Sequence, residues 1–345
     1  MTIGEQFRNL IERNRFNRMV EGLYDAIGAV PGYRRMVMRR VHRRIEHVRG
    51  RRSYGLMIEL SSVCNARCVF CPHPTMEREK RVMDDDLFEL IVSRIIEENI
   101  RPTLIDLFSV GEPLTDRSLF QRIRRLKAAF PSAKVAITTN FALATPRIVD
   151  EVLASGLDRI QISLNAASRD SHREIMGLDY DKTVRNVELL LERRQAAKSP
   201  LYVMLSLVLC EQNRRQTRDF VRIWEKKVDC VRFQRAIDWE GAVDVKNPYT
   251  GSPYPCNDLF ERIAILSNGE FALCCKDFRG IIGSNVRDTS ILAAFHSRPF
   301  EKIREVHLSG DIRSLQMCRD CFGVYSNGTD WLLREAPPVT EFRIR

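Results

Sequence analysis

Six short apolar runs alternate with longer segments of helical spacing between residues 54 and 236. The runs are Leu56–Leu60, Leu104–Phe108, Val135–Ile137, Ile160–Leu164, Tyr202–Leu209 and Val231–Phe233. The segments between them, 85–98, 117–129, 146–154, 181–197 and 215–227, read as helices. A strand that is always followed by a helix must return to the same end of the sheet, so this order predicts an α/β unit with a parallel sheet. Six units are too regular for separate domains and too few for an eight-stranded barrel.

The flanks have a different texture. Residues 5–28 repeat apolar side chains at helical intervals, Pro31-Gly32 interrupts, and a second helix is predicted over 33–48. Its Val37, Val41, Ile45 and Val48 share one arc, and Arg35, Arg39, Arg40, Arg43 and Arg44 lie opposite. The net charge of +10 is concentrated here: residues 1–52 hold thirteen Arg against five acidic residues. The remainder is nearly neutral, so the basic balance alone does not indicate a nucleic-acid partner. After residue 240, Asn247-Pro248, Thr250–Pro253 and Pro255 form a turn-rich linker. Beyond it Ile263–Ser267 and Glu270–Leu273 flank Asn268-Gly269, which predicts a hairpin with a two-residue turn. A helix is expected over 289–308, and the last twenty residues carry no pattern. An apolar fraction of 44% and a charged fraction of 29% fit a globular chain. No run of 18 apolar residues and no apolar leader are present, which predicts a cytoplasmic protein.

In a reducing compartment the ten cysteines point to metal or redox chemistry rather than cross-links. Cys64, Cys68 and Cys71 follow the first strand, where α/β folds place their chemistry. Three thiolates within eight residues suit a soft metal or cluster. A four-iron cluster held by three cysteines keeps one iron open. The alternative is a structural zinc completed by His73. A second set lies past the linker: Cys256, the adjacent Cys274 and Cys275, then Cys318 and Cys321. Read alone, this set also fits a zinc ribbon. Cys210 and Cys230 stand apart, Cys210 at the functional end of the fifth strand.

Cys64, Cys68 and Cys71, with Phe70 before the last of them, resemble the signature of the radical S-adenosylmethionine (SAM) superfamily. Val110-Gly111-Glu112-Pro113 resembles that family's Gly-Gly-Glu-Pro motif, with valine at the first position. The resemblance implies a partial (β/α)6 TIM-like barrel over about 53–240 and a [4Fe–4S] cluster that binds SAM through its open iron. SAM is then cleaved to methionine and a 5′-deoxyadenosyl radical. It implies SAM contacts at Phe70, Gly111 and Glu112, the last two at the amino group. Asn140, Ser163 and Asn165, at the ends of strands three and four, would line the carboxylate and ribose. The spacing Cys256-x12-Gly269-x4-Cys274 resembles the auxiliary-cluster domains called SPASM and the shorter twitch form, here over 250–325. No cysteine follows Cys321, so the resemblance implies one second [4Fe–4S] cluster on Cys256, Cys274, Cys318 and Cys321. Cys274 is preferred to Cys275 because it keeps the Gly-x4-Cys spacing. Residues 1–52 and 326–345 lie outside the resemblance, as a basic helical extension and a tail.

The leading expectation is an enzyme that oxidises a sugar or cyclitol alcohol to a ketone, with the auxiliary cluster accepting an electron. Arg235, Asp238 and Glu211 are the candidate bases. Epimerisation is an alternative, with Cys210 returning a hydrogen atom, as is modification of a ribosomal peptide. The non-enzyme alternative is a zinc-stapled RNA binder, which lacks a recognisable base-reading module. The expected partners are a small-molecule substrate, with flavodoxin or ferredoxin as reductant, and no nucleic acid. Two readings of the arm stay open: peripheral contact of residues 1–52 with an anionic membrane, or packing of the apolar arc on the barrel.

Overall fold

A computed structural model describes residues 32–243, 253–319, 321 and 324, and the strand 340–343 by its backbone. The helix expected over 5–28 lies outside the described residues. Helix α1 (Tyr33–Arg51) buries Val37, Val41, Ile45 and Val48 and leaves Arg35, Arg39, Arg40 and Arg43 exposed. Its apolar arc is therefore occupied by the protein's own core and is not free to insert elsewhere.

Strands β1 (Ser53–Ile58), β2 (Arg101–Leu107), β3 (Lys134–Thr139), β4 (Arg159–Ser163), β5 (Tyr202–Leu209) and β6 (Cys230–Arg235) pair in parallel, each with the next. Between them run α2 (Asp85–Glu97), α3 (Leu119–Ala129), α4 (Pro146–Ala154), α5 (Arg169–Met176), α6 (Tyr180–Ala196) and α7 (Thr217–Trp224). The helix starts follow capping chemistry: Asp84 accepts from Leu87 N–H at 2.7 Å, and Asp179 from Lys182 N–H at 3.0 Å. Alternate strand residues such as Leu56, Ile105, Val135, Ile160, Leu205 and Val231 join one core with the helices. The opposite strand faces carry Met57, Asp106, Gln161 and Ser206. Helix α5 had no expectation in the sequence; it ends at Gly177, whose φ of 68° is left-handed.

The sheet does not stop at six strands. Its order is β8-β7-β1-β2-β3-β4-β5-β6-β9, nine strands in all. After helix α8 (Asp258–Glu261), strand β7 (Arg262–Ile265) lies parallel to β1, and β8 (Phe271–Ala272) folds back antiparallel on β7. The auxiliary region thus continues the barrel sheet instead of hanging from it. The predicted hairpin is present, with a three-residue turn rather than two. Gly269 N–H donates to Leu266 O, Leu266 N–H to Glu270 O, and Gly269 takes φ 87°, as such turns require at their last position. The helix expected over 289–308 is two helices, α9 (Ile291–Phe295) and α10 (Arg298–Ser309), divided at Ser297 with Pro299 in the first turn of α10. A short α11 (Gln316–Arg319) follows, and β9 (Thr340–Arg343), within the tail that showed no pattern, pairs antiparallel with β6. No helix among the described residues is long and apolar enough to cross a membrane.

The packing of α1 gives a direct test. Val41 is fully buried, so Val41→Ala should cost about 2 kcal/mol in urea unfolding. Arg39→Ala, on the exposed face, should stay within about 0.5 kcal/mol. Equal, small effects would contradict the packing.

Candidate functional site

The parallel sheet gathers the loops after β1, β2, β3, β4, β5 and β6 at one end. The loop after β1 carries Cys64, Cys68 and Cys71, and it is braced on both flanks. Ser62 N–H donates to Arg81 O, and Met83 N–H to Leu60 O. Arg67 N–H reaches Met176 O and Val69 N–H reaches Ile175 O, pinning the thiol-bearing turn to the end of α5. Burial pushes the Cys64 thiol up to about 11, with Glu112 and Cys71 adding to the rise, and pushes Cys68 and Cys71 in the same direction. Such thiols stay protonated unless a cationic group arrives, and three soft donors of this kind fit an iron–sulfur cluster. His73 is not part of the set: its Nε2 donates to Ser62 O at 2.9 Å, and burial keeps the ring neutral. Among the described residues no three His, Cys, Asp or Glu side chains converge on a single-ion site. A cubane makes a different demand from zinc, because each cysteine binds its own iron.

Glu112 ties three loops together. It is 1% exposed. Its Oε1 accepts from Thr139 Oγ1 at 2.6 Å and Leu114 N–H at 3.0 Å, and its Oε2 from Asn140 N–H at 2.7 Å. Burial pushes its pKa up to about 7 against the pull of these donors. Both oxygens thus accept from protein donors, and the side chain braces the loops that meet here. The loop backbone lies against the cysteine loop instead. Glu112 N–H donates to Val63 O at 2.8 Å, and the Thr115 and Ser61 hydroxyls meet at 2.7 Å. Gly111 permits this approach, since a Cβ there would stand 1.9 Å from Ser61 O. Asn140 Nδ2 donates to Asn65 Oδ1 at 2.8 Å, linking the third loop to the same turn.

The remaining barrel-end candidates divide. Asn165, at φ 58°, is buried; its Oδ1 accepts from Val208 N–H, and its backbone O accepts from Asn213 Nδ2. Ser163 is half-buried, and its hydroxyl accepts from the Ser206 hydroxyl at 3.4 Å. Cys210, Cys68 and Phe70 each pack against one small apolar cluster, Ala166, Ile175 and Met176. Glu211 is not brought to this group: its side chain is 79% exposed and pairs with Arg214. Arg235 ends β6 in register with Leu209. Asp238 is held by Lys276, whose Nζ stands 2.8 Å from its Oδ1.

In the C-terminal region burial pushes the Cys274 thiol well up, and Cys275, Cys256, Cys321 and Cys318 each stand close enough to add to the rise. Cys275 packs against the cluster of Met57, Ala264, Leu266 and Ala272 with its thiol 3.8 Å from Asp258 Oδ2, and it stays close enough to Cys321 for that group to raise its pKa after burial and Asp258. His307, which the sequence did not single out, bridges the set. Its Nδ1 accepts from Cys256 N–H at 3.2 Å, which leaves Nε2–H to face Cys318 Sγ at 3.4 Å. Burial pushes its pKa down to about 4, so the ring is neutral. Two further contacts join this region to the first loop. Arg78, buried with Glu59, also donates to Phe278 O and Ser267 Oγ. Trp239 Nε1–H donates to Phe70 O at 3.0 Å while its ring meets Phe278 edge-on.

Gly111→Ala should cost about 1–3 kcal/mol or more through overpacking and lower the iron retained per chain after anaerobic reconstitution. Gly50→Ala, with open space at its Cβ, should leave iron content unchanged. Full iron retention and an unchanged unfolding midpoint in Gly111→Ala would contradict the close approach.

Comparison with known proteins agrees with this geometry. Residues 58–222 match the radical SAM superfamily, and residues 256–322 match the SPASM iron–sulfur cluster-binding domain. Among curated proteins, the probable GTP 3′,8-cyclase of Sulfurisphaera tokodaii is 30% identical over 165 residues, 48% of this chain and 50% of its own. That of Saccharolobus islandicus is 27% identical over 175 residues, 50% of this chain and 54% of its own. The chain thus spans about half the length of these relatives. Among solved structures, BtrN in complex with AdoMet and 2-DOIA matches with a TM-score of 0.55 at 16% identity, covering 78% of this chain and 92% of that one. Streptococcus suis SuiB bound to S-adenosylmethionine matches with a TM-score of 0.62 at 17% identity, covering 86% and 79%. At these identities the likeness is one of fold. The motif-bearing loops, the parallel barrel and both domain matches lead to one assignment: the chain belongs to the radical SAM superfamily and carries a C-terminal auxiliary iron–sulfur domain of the SPASM/twitch type.

Proposed function

We propose that this radical SAM enzyme oxidises a hydroxyl-bearing small molecule, a sugar or cyclitol alcohol, to a ketone. The observation that supports the reading is the proximity of Cys256, Cys275, Cys318 and Cys321 to Cys274, from which Cys256, Cys274, Cys318 and Cys321 are taken as the ligands of a second cluster. Four thiolate ligands close a cubane and leave no iron for substrate, which suits electron transfer. Cys64, Cys68 and Cys71 would hold the first cluster. With SAM bound, that cluster supplies a 5′-deoxyadenosyl radical able to take a hydrogen atom from substrate.

The chain's own residues do the rest. Glu112, Thr139 and Asn140 fix the first three loops, and Gly111 offers backbone close to the SAM site. Phe70, Ser163 and Asn165 flank it. A carbinol radical that loses its hydroxyl proton becomes strongly reducing and must pass on one electron. Of the three candidate bases, Asp238 lies at the junction of barrel and auxiliary region, and its Oδ2 has no protein donor among the described residues. The electron then has a four-cysteine site to go to, making the whole a two-electron oxidation.

Cys210 favours a second reading. It packs against the same apolar cluster of Ala166, Ile175 and Met176 as Cys68 and Phe70, which supports a thiol on the radical's side of the barrel, as an epimerase that returns a hydrogen atom would need. The names of the relatives also raise nucleotide cyclisation and peptide modification, but their matches rest on half the chain or on fold.

Changing Cys64, Cys68 or Cys71 to Ala should abolish 5′-deoxyadenosine formation with dithionite and SAM. The triple variant should keep about four irons on the second site. Retained cleavage in a single variant, or zinc in place of iron in the triple variant, would overturn the cluster assignments. Against a panel of aminocyclitols and sugar alcohols, the product should be a carbonyl compound two electrons more oxidised. Solvent deuterium at the abstracted carbon without oxidation, lost in Cys210→Ala, would establish the epimerase reading instead.

A further inference from the structure

One charged group near the auxiliary cysteines has no place in the mechanism above. Lys276 is 2% exposed, two residues past Cys274. Its Nζ donates to Asp238 Oδ1 at 2.8 Å and to Met317 O at 2.9 Å, and Met317 precedes Cys318. Its backbone N–H points at Cys274 Sγ, 3.4 Å away. The residue is therefore fixed from both sides of the four-cysteine set, with its ammonium between that set and the end of the barrel.

A buried ammonium is costly: the desolvation penalty reaches several kcal/mol even after relaxation. An apolar side chain of similar length would fill the same space without it. The location of the charge suggests what it contributes. A cubane with four thiolates carries a net charge of −2 when oxidised and −3 after taking one electron, so the reduced form gains more from a neighbouring cation. In a buried setting this gain is only weakly screened.

We infer that Lys276 is a positioning residue whose fixed positive charge raises the reduction potential of the auxiliary cluster, while Asp238 anchors that charge and partly offsets it. The inference rests on the reading that Cys256, Cys274, Cys318 and Cys321 hold this cluster. Asp238 sits just past β6, next to Trp239, which donates to Phe70 O on the first cysteine loop. The pair thus links the site where an electron is released to the site that takes it up.

The test is an anaerobic redox titration followed by electron paramagnetic resonance, in the full chain carrying Cys64→Ala, Cys68→Ala and Cys71→Ala so that only the auxiliary signal appears. Lys276→Met should move the midpoint to lower potential, by about tenfold in the reduction equilibrium, ~59 mV for one electron. Lys276→Arg should hold it near the parent value. Asp238→Asn, which keeps the cation and removes the opposing charge, should move it to higher potential. A merely structural role would shift Lys276→Met and Asp238→Asn in the same direction. That result, or an unchanged midpoint in an iron-replete Lys276→Met protein, overturns the inference. If Lys276→Met fails to hold iron, the Lys276→Arg and Asp238→Asn midpoints decide it. A parent protein without iron overturns the cluster reading itself, and the inference with it.

Discussion

The carboxylate of Glu112 organises the functional end of the barrel. Three strands deliver their loops there, and nothing in a parallel sheet dictates how those loops meet. Thr139, Asn140 and Leu114 donate to the two oxygens of one buried side chain, so the second and third loops are fixed together. The Gly111-Glu112 backbone then presses on Ser61 and Val63, which fixes the first loop and with it the start of the cysteine turn. Charge-assisted hydrogen bonds of this kind are among the stronger ones available inside a protein, and removing one partner leaves a buried group unsatisfied. A cluster that must hold one iron open needs ligands placed before the metal arrives, and this network places the loop that carries them.

The second junction joins the cysteine loop to the auxiliary region. Glu59, Arg78 and Ser267 form a buried polar contact between β1, the cysteine loop and the turn of the C-terminal hairpin. Strand β7 already runs beside β1. The auxiliary cysteines therefore stand on an extension of the barrel sheet and not on an independent module. Trp239 on Phe70 and Lys276 on Asp238 close the other side. The sheet thus joins the two cysteine-bearing regions directly.

Much of the fold was legible because it is written in periodicity. All six barrel strands bury one face against helices, so their apolar runs stand out, and Asp84, Thr145 and Asp179 mark helix starts by chemistry that depends on the near chain. Helix α5 escaped notice because it is short and polar apart from Ile175 and Met176. Strands β7 and β8 were expected as the arms of the hairpin, but the pairing of β7 with β1 carried no local signal, and β9 follows a stretch without pattern. At the site, residue type and spacing pointed to both cysteine sets. Spacing could not show that the Glu112 oxygens are occupied, because Thr139 and Asn140 are more than 25 residues away in sequence. His307, Trp239 and Lys276 carried no local signal, since each acts only through partners brought to it by the fold.

The central claim is that one chain holds two distinct clusters, the first with an open iron and the second closed by four cysteines. Mössbauer spectroscopy of anaerobically purified, 57Fe-enriched protein tests it most directly. The account predicts about eight irons per chain as two four-iron cubanes, with one iron of the eight changing its signal when SAM is added. Four irons or fewer, or a spectrum indifferent to SAM, would contradict it.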